Sequence, residues 1–156
     1  MVVWRLAIGR FHEVDGEGAR LYGGRWNSPG IPVVYSATHL SLALLEQLVH
    51  LNPVELPDPL RAFAITLPDN ATLEVASVGG VPADRETCRQ YGDDWAASRR
   101  SIGLIVPSAI IPALLHPGEI ATGERNILLN PLHPSARTWR VTETSFSIDA
   151  RSKGTR

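Results

Sequence analysis

Several side chains in this sequence have types and settings that could do chemistry. Glu46 lies inside an apolar run, with Leu42, Ala43, Val49 and His50 three and four residues away. An ionised carboxylate is rarely buried without a partner, because desolvation is costly. Glu46 is therefore either half of a surface i,i+4 pair with His50 or a carboxylate kept for a reaction. Arg25 follows Gly23-Gly24 directly and is flanked by Trp26. Glycines there let the backbone turn sharply or approach a ligand, and a guanidinium can grip a phosphate or pyrophosphate with two prongs. The plain alternative is a surface arginine. Tyr35 is either a half-buried ring with its hydroxyl in water or a ring that stacks on a flat ligand. Ser108 beside Pro107 reads as a turn serine, and no His/Asp pair at recognisable spacing supports it as a nucleophile. Asn126, Asn130 and His133 fall in one segment, where the asparagines default to use in turns. His12, His39, His50 and His116 have no partner that the sequence names.

The elements that must position these groups follow from the pattern. Val2 to Ile8 reads as a strand. Phe11 to Gly24 reads as loop, with glycines at 16, 18, 23 and 24. Ser28-Pro29-Gly30 is a turn signal. Ile31 to Tyr35 reads as a buried strand, after which Ser36 or Thr38 caps a helix from about His39 to Leu51. That helix is apolar nearly all round and belongs inside a protein, and Asn52-Pro53 ends it. Leu60 to Leu67 alternates like a strand, whereas Leu73 to Val81 fits neither type. Asp84 to Arg100 reads as a surface helix, with Arg99 and Arg100 suiting its C-terminal dipole. Ile102 to Val106, Asn126 to Leu129 and Thr138 to Ile148 read as strands. Ile110 to Gly123 is loop or a short helical turn. Several strand signals with two main helices predict one mixed α/β domain and argue against a doubly wound sheet.

Composition narrows the function classes. The chain has 156 residues, 44% apolar and 20% charged, which suits one globular domain. A formal charge of -1 argues against nucleic acid as the main partner. The single cysteine, Cys88, rules out an internal disulfide. With no signal-peptide pattern and no long apolar run, the expectation is a cytoplasmic protein without membrane contact. The phosphate loops of Rossmann and P-loop proteins are missing, as are the zinc-protease helix motif and the hydrolase nucleophile elbow.

Taken together, Gly24-Arg25-Trp26-Asn27, Val33-Val34-Tyr35-Ser36, Ala43-Leu44-Leu45-Glu46, Gly92-Asp93-Asp94-Trp95, Val106-Pro107-Ser108-Ala109 and the run from Glu124 to Pro134 resemble the RES-domain family. The family is named for an arginine, a glutamate and a serine. The similarity extends from Trp4-Arg5 to about Val141. One departure is an apparent insertion at 113–123, where family members tend to be compact. The resemblance implies a RES domain over 1–150, followed by a disordered tail at 151–156. It implies an α/β (α+β) fold like that of ADP-ribosyltransferases, with small mixed or antiparallel sheets and helices around an NAD cleft.

It also implies a bacterial toxin of a toxin–antitoxin pair that breaks the nicotinamide–ribose bond of NAD by hydrolysis or phosphorolysis. Arg25, Glu46 and Ser108 are the expected catalytic residues, and Arg25, Tyr35, Ser108 and Asn126 the expected NAD contacts. Beyond NAD as substrate no cofactor or metal is expected, with inorganic phosphate as co-substrate if cleavage is phosphorolytic. The implied partner is an antitoxin with an Xre-type helix-turn-helix, which would supply any DNA contact, and a homodimer is expected. Two other readings stand beside this one. One is a mono-ADP-ribosyltransferase that modifies a protein, and the other a non-catalytic module that binds NAD.

Overall fold

Seven strands join into one sheet in the computed structural model, which describes residues 1–7, 13–49, 59–77, 84–108 and 124–148. In chain order the elements are β1 (Val2–Ala7), α1 (Glu17–Tyr22), β2 (Val34–Ala37), α2 (Leu40–Leu48), β3 (Leu60–Thr66), β4 (Leu73–Val75), α3 (Arg85–Ser98), β5 (Gly103–Val106), β6 (Asn126–Leu129) and β7 (Arg140–Phe146). A 3-10 turn over Pro134–Thr138 precedes β7. The strand order is β4-β5-β6-β2-β1-β3-β7, antiparallel throughout except for the β4–β5 pair. This is the mixed α/β architecture that the pattern of elements predicts.

Side chains alternate across a strand, so the ladder decides which residues share a face. Trp4 faces Ala37, Ala37 faces Asn126, and Asn126 faces Val106. These four residues form a row across β1, β2, β6 and β5. Two residues along, Tyr35, Leu128 and Leu104 form a parallel row on the same face. α2 covers the β1 side of that face, packing Leu42 and Ala43 against Leu6, Ala37 and Ala62. α3 covers the β5–β6 side, packing Cys88, Trp95 and Ala96 against Leu104, Val106 and Leu128. The opposite face holds Val3, Val34, Ile65, Ile127 and Leu129, all fully buried. β7, at the end of the sheet, exposes every residue except the half-buried Phe146.

Several boundaries differ from the sequence pattern. The glycine-rich stretch before Arg25 contains α1, a short helix. Gly16 enters it with φ 77°, Asp15 accepts the Glu17 N–H, and Glu17 pairs with Arg20 at 2.6 Å. These local bonds outweigh the entropic cost of glycine. β2 starts at Val34 rather than Ile31 and runs to Ala37. Neither Ser36 nor Thr38 caps α2. Ser36 stays in the strand and donates to the Ile127 carbonyl at 2.6 Å, while the Thr38 hydroxyl accepts the Arg125 N–H at 2.8 Å. His39 holds the N-cap position without a side-chain cap bond. α2 is also only partly inside, since Leu42 and Ala43 are its only buried residues.

α3 begins as a capped helix should, Asp84 accepting the Thr87 N–H at 2.9 Å. It is not a purely surface helix. Trp95 is fully buried and donates its ring N–H to Ser101. Arg99 and Arg100 lie beyond the last turn rather than in it, because Arg99 turns the chain with φ 51°. The expectations for His12, His50, Asn52-Pro53, His116, the Ile110–Gly123 stretch with its 113–123 insertion, and the 151–156 tail fall outside the described residues.

Candidate active site

A cleft of about 520 Å³ opens on the face that α2 and α3 share. Its floor is the row Trp4, Ala37, Asn126 and Val106. The β1–β2 ladder is limited to the single pair Trp4–Ala37, whereas β1 pairs with β3 along its whole length. The sheet therefore parts beside Trp4, and Arg5 reaches the cleft there. The volume falls within the roughly 300–1,000 Å³ of small-molecule sites.

Glu46 enters from α2 and meets two groups that are far away in sequence. Ser108 donates its hydroxyl to Glu46 Oε1 at 2.6 Å, and Asn126 donates its amide to the same oxygen at 2.5 Å. Ser108 is buried, just past the end of β5, and Asn126 opens β6. Both donors fall on Oε1, and among the described residues neither bond uses Oε2. The carboxylate is thus fixed in orientation with one oxygen left to face a ligand. Ser108 is no idle turn residue here, since its hydroxyl donates to the Glu46 carboxylate.

Arg25 lines the cleft from a loop held by a knot of hydrogen bonds. Asn27, fully buried, donates to the carbonyls of Ala19, Ser28 and Ile31 and accepts from the Tyr35 hydroxyl at 2.9 Å. That hydroxyl accepts the Trp26 N–H at 3.0 Å. Asp93 of α3 takes both the N–H and the hydroxyl of Ser28, at 2.8 and 2.6 Å. The packing leaves no room for side chains at two glycines. A Cβ at Gly92 would overlap the Trp26 carbonyl, and one at Gly24 would overlap the Tyr35 hydroxyl.

Tyr35 does not leave its hydroxyl in water, the plainer of its two expected settings. Its ring lines the cleft, but its hydroxyl is spent on the Arg25 loop. Burial pushes its pKa up to about 12, the Asp93 charge adding to the rise while the Trp26 N–H, Arg89 and Arg85 oppose it. Asn130 is structural, as the sequence suggests for its asparagines, and His133 is structural as well. Asn130 bonds the Ala96 carbonyl and the Leu132 N–H, and His133 caps the 3-10 turn.

The structure adds residues that the sequence pattern did not single out. Arg5 is largely buried, and its Nε has no hydrogen-bond partner among the described residues. Burial pushes its guanidinium below the ordinary value, with the Asp15 carboxylate pulling the other way. The available signal was a cation in the middle of the apolar strand Val2–Ala7. Arg85 lines the cleft from the first turn of α3. Asn27 and Asp93 lie in segments noted for their pattern but were given no role. Among the described residues no three His, Cys, Asp or Glu side chains converge as a metal site would need, and no helix is long and apolar enough to cross a membrane.

The family model described as "RES domain" matches residues 2–150. A protein named "Toxin Res" from Photorhabdus laumondii is 36% identical over 161 residues, covering 97% of this chain and 96% of that protein. A protein named "Prs ADP-ribosylating toxin" from Sphingobium is 40% identical over 146 residues, covering 86% of this chain and 84% of that one. Among solved structures, the crystal structure of the M. tuberculosis MbcT-MbcA toxin-antitoxin complex contains a chain of the same fold. It aligns with a TM-score of 0.68 at 18% identity, over 94% of this chain and 84% of that one.

Proposed function

The chain belongs to the RES domain family, and from that premise we propose that it is the toxin of a toxin–antitoxin pair that cleaves NAD at the nicotinamide–ribose bond. The observation that carries this reading is Glu46, fixed through one oxygen by Ser108 and Asn126 in a cleft whose other charged lining residues, among the described residues, are all arginines. Leaving-group departure builds positive charge on the ribose, as in glycoside cleavage. A fixed carboxylate stabilises that charge, and arginines hold the anionic remainder of the dinucleotide.

The C1′–N bond breaks, and its electron pair leaves with nicotinamide, which departs as a neutral base and needs no proton from the protein. A new C1′–O bond forms to water or to inorganic phosphate, and the proton released from water passes to solvent. Glu46 Oε2 accepts a hydrogen bond from a ribose hydroxyl, which strengthens as the ribose becomes cationic. Arg25, with Arg5, holds the pyrophosphate in two-pronged contacts. Ser108 and Asn126 act through Glu46 by fixing its orientation. Tyr35 offers its ring to the nicotinamide end while its hydroxyl holds the loop.

The name of the Sphingobium relative favours a second reading, transfer of ADP-ribose to a protein acceptor. The same cleft serves both, since only the nucleophile differs. The names of the relatives and the complex formed by the structural neighbour motivate an antitoxin partner. We assign it to the Xre helix-turn-helix type and expect it to act by covering the cleft, in the cytoplasm where NAD is abundant.

The test is loss of NAD with the purified protein, with and without phosphate, products being identified by mass spectrometry. Nicotinamide with ADP-ribose, or with ADP-ribose 1-phosphate, supports cleavage, and phosphate dependence separates the two routes. Intact NAD with the purified protein alone, but release of nicotinamide and transfer of label from NAD once a macromolecular acceptor is added, would replace this reading with the transferase.

A further inference from the structure

One segment that marks the family resemblance, Gly92-Asp93-Asp94-Trp95, has no part in the proposed reaction. On α3, Gly92 and Trp95 are buried, Asp93 is half-buried and Asp94 is exposed. Gly92 and Asp93 both meet the Arg25 loop. The lack of a side chain at Gly92 lets the Trp26 carbonyl close on the helix. Asp93 spends both carboxylate oxygens on one residue of that loop. Oδ1 accepts the Ser28 N–H at 2.8 Å and Oδ2 the Ser28 hydroxyl at 2.6 Å. A half-buried carboxylate would ordinarily pair with a cation. Arg89 stands one turn earlier on α3, yet its ion-pair contact is Glu86 at 3.8 Å, and among the described residues no ion pair engages Asp93.

The chain around Arg25 is anchored almost residue by residue. Gly24 donates its N–H to the Asn27 carbonyl at 2.9 Å, closing a turn with Arg25 and Trp26 at its centre. The Trp26 N–H goes to Tyr35 of β2, and the Asn27 amide to the Ala19 carbonyl of α1. Of these bonds, only the two to Asp93 reach α3. Without them the loop stays tied to α1 and β2 and loses its clamp on the third element. An arginine side chain is long and rich in rotamers, so a backbone fixed at its root limits the space that the guanidinium samples. A shift of about 1 Å in such a group can cost up to about 100-fold.

Resting on the NAD-cleavage reading, in which Arg25 holds the pyrophosphate, we propose that Asp93 is a positioning residue for Arg25. It acts through Ser28, not on the substrate, by fixing the loop to α3 and with it the reach of the guanidinium. Its contribution is geometric rather than electrostatic, so an amide of the same shape should serve. In Asp93→Asn the side-chain carbonyl accepts the Ser28 N–H, and the amide donates to the Ser28 hydroxyl, which reverses its role.

The experiment measures NAD affinity by calorimetry, and KM and kcat from turnover, for wild type, Asp93→Ala, Asp93→Asn and Ser28→Ala. It repeats Asp93→Ala in an Arg25→Ala background. Asp93→Ala should raise Kd and KM about 10- to 100-fold. Its kcat should stay within about threefold, because a pyrophosphate contact is made alike before and during the reaction. Asp93→Asn should restore most of the affinity. Ser28→Ala removes one of the two bonds and should cost about 3- to 10-fold, which keeps the test open if Asp93→Ala does not fold. In the Arg25→Ala background Asp93→Ala should cost nothing further, since the group it positions is gone. Equal losses in both backgrounds overturn the proposal, as does a fall in kcat with KM unchanged. So does an Asp93→Asn variant as impaired as Asp93→Ala, because charge would then be what acts. If wild type binds NAD without consuming it, the cleavage reading fails and calorimetry still decides the inference. If it does not bind NAD either, amide hydrogen exchange over residues 24–28 decides it. Faster exchange in Asp93→Ala confined to that segment supports the clamp, and exchange unchanged there, or raised equally in β1 and β3, refutes it.

Discussion

On the α2 wall of the cleft, Glu46 has its carboxylate held by Ser108 and Asn126 before any ligand arrives. On the strand that edges the opening of the sheet, Arg5 is largely buried with an Nε that no described group engages. The contrast is between a charge whose position is stabilised by hydrogen bonds from within and one that keeps a donor, Nε, without an acceptor among the described residues. A carboxylate meant to stabilise developing positive charge gains from being fixed in advance, since no reorganisation is then needed during the reaction. A cation meant to bind an anion is better left unpaired, at the expense of folding stability. The Arg25 loop follows the first habit. Its backbone is tied down through Asn27, Tyr35 and Asp93, while Arg25 itself faces the cleft.

The sharpest way to break this contrast is Glu46→Gln, which keeps the shape and removes the charge. NAD consumption should fall about 1,000-fold or more, in the range seen when a key transition-state contact is lost, while circular dichroism and melting temperature stay near wild type. Wild-type turnover in the folded variant would remove Glu46 from the chemistry. Arg5→Met tests the other side. NAD affinity by calorimetry should weaken about 10- to 100-fold with loss of a charge-assisted contact, yet the ligand-free protein should melt about 2–4 °C higher, because a guanidinium whose Nε has no acceptor among the described residues is replaced by an apolar chain. A lower melting temperature would show that Arg5 is paired in the folded protein.

Asn27→Ala should destabilise the chain by about 2–4 kcal/mol in denaturant titration, since it strands several buried backbone and hydroxyl groups at once. Activity should fall with it as Arg25 loses its support. Tyr35→Phe should be milder, about 1–3 kcal/mol, because it leaves only the Trp26 N–H and Asn27 Oδ1 unpaired. If its activity instead fell as far as that of Glu46→Gln, the hydroxyl would belong to the reaction and not to the loop.

The smallest expected effect is on alkaline stability. The Tyr35 pKa rises from 10.0 to about 12 on folding. In that window the folded chain holds a proton that the unfolded chain has lost. The stability this contributes is complete below pH 10 and disappears as pH climbs through about 12. A urea-midpoint profile across this range should be flatter for Tyr35→Phe than for wild type.

The sequence made the outline of the fold readable, because β1, β3, β5, β6 and β7 are strongly patterned. It also pointed to Glu46, Arg25, Ser108 and Asn126 as residues that now share one cleft or one hydrogen-bond knot. Its failures have physical causes. α1 is stabilised by a positive-φ glycine and a Glu17–Arg20 pair that glycine-rich composition obscures. The partners of Glu46 lie 62 and 80 residues away, a closeness that only the sheet creates. The Tyr35 hydroxyl is spent on the Arg25 loop rather than left in water, because the loop that takes it up is brought there only by the fold. Arg5 escaped notice because strand alternation offers a polar residue a place on the solvent side, and the gap between β1 and β2 is a tertiary feature.

The row Trp4, Ala37, Asn126 and Val106 makes strand register a determinant of chemistry. A single residue inserted within β6 would turn Asn126 to the opposite, oily face and present Ile127 to the cleft, depriving Glu46 of a donor without changing any active-site residue. Length changes between Ser108 and Glu124 leave that parity alone. Evolution is thus free to lengthen or shorten the chain there, but must count residues strictly in β6, where an odd step exchanges the inside of the molecule for its working surface.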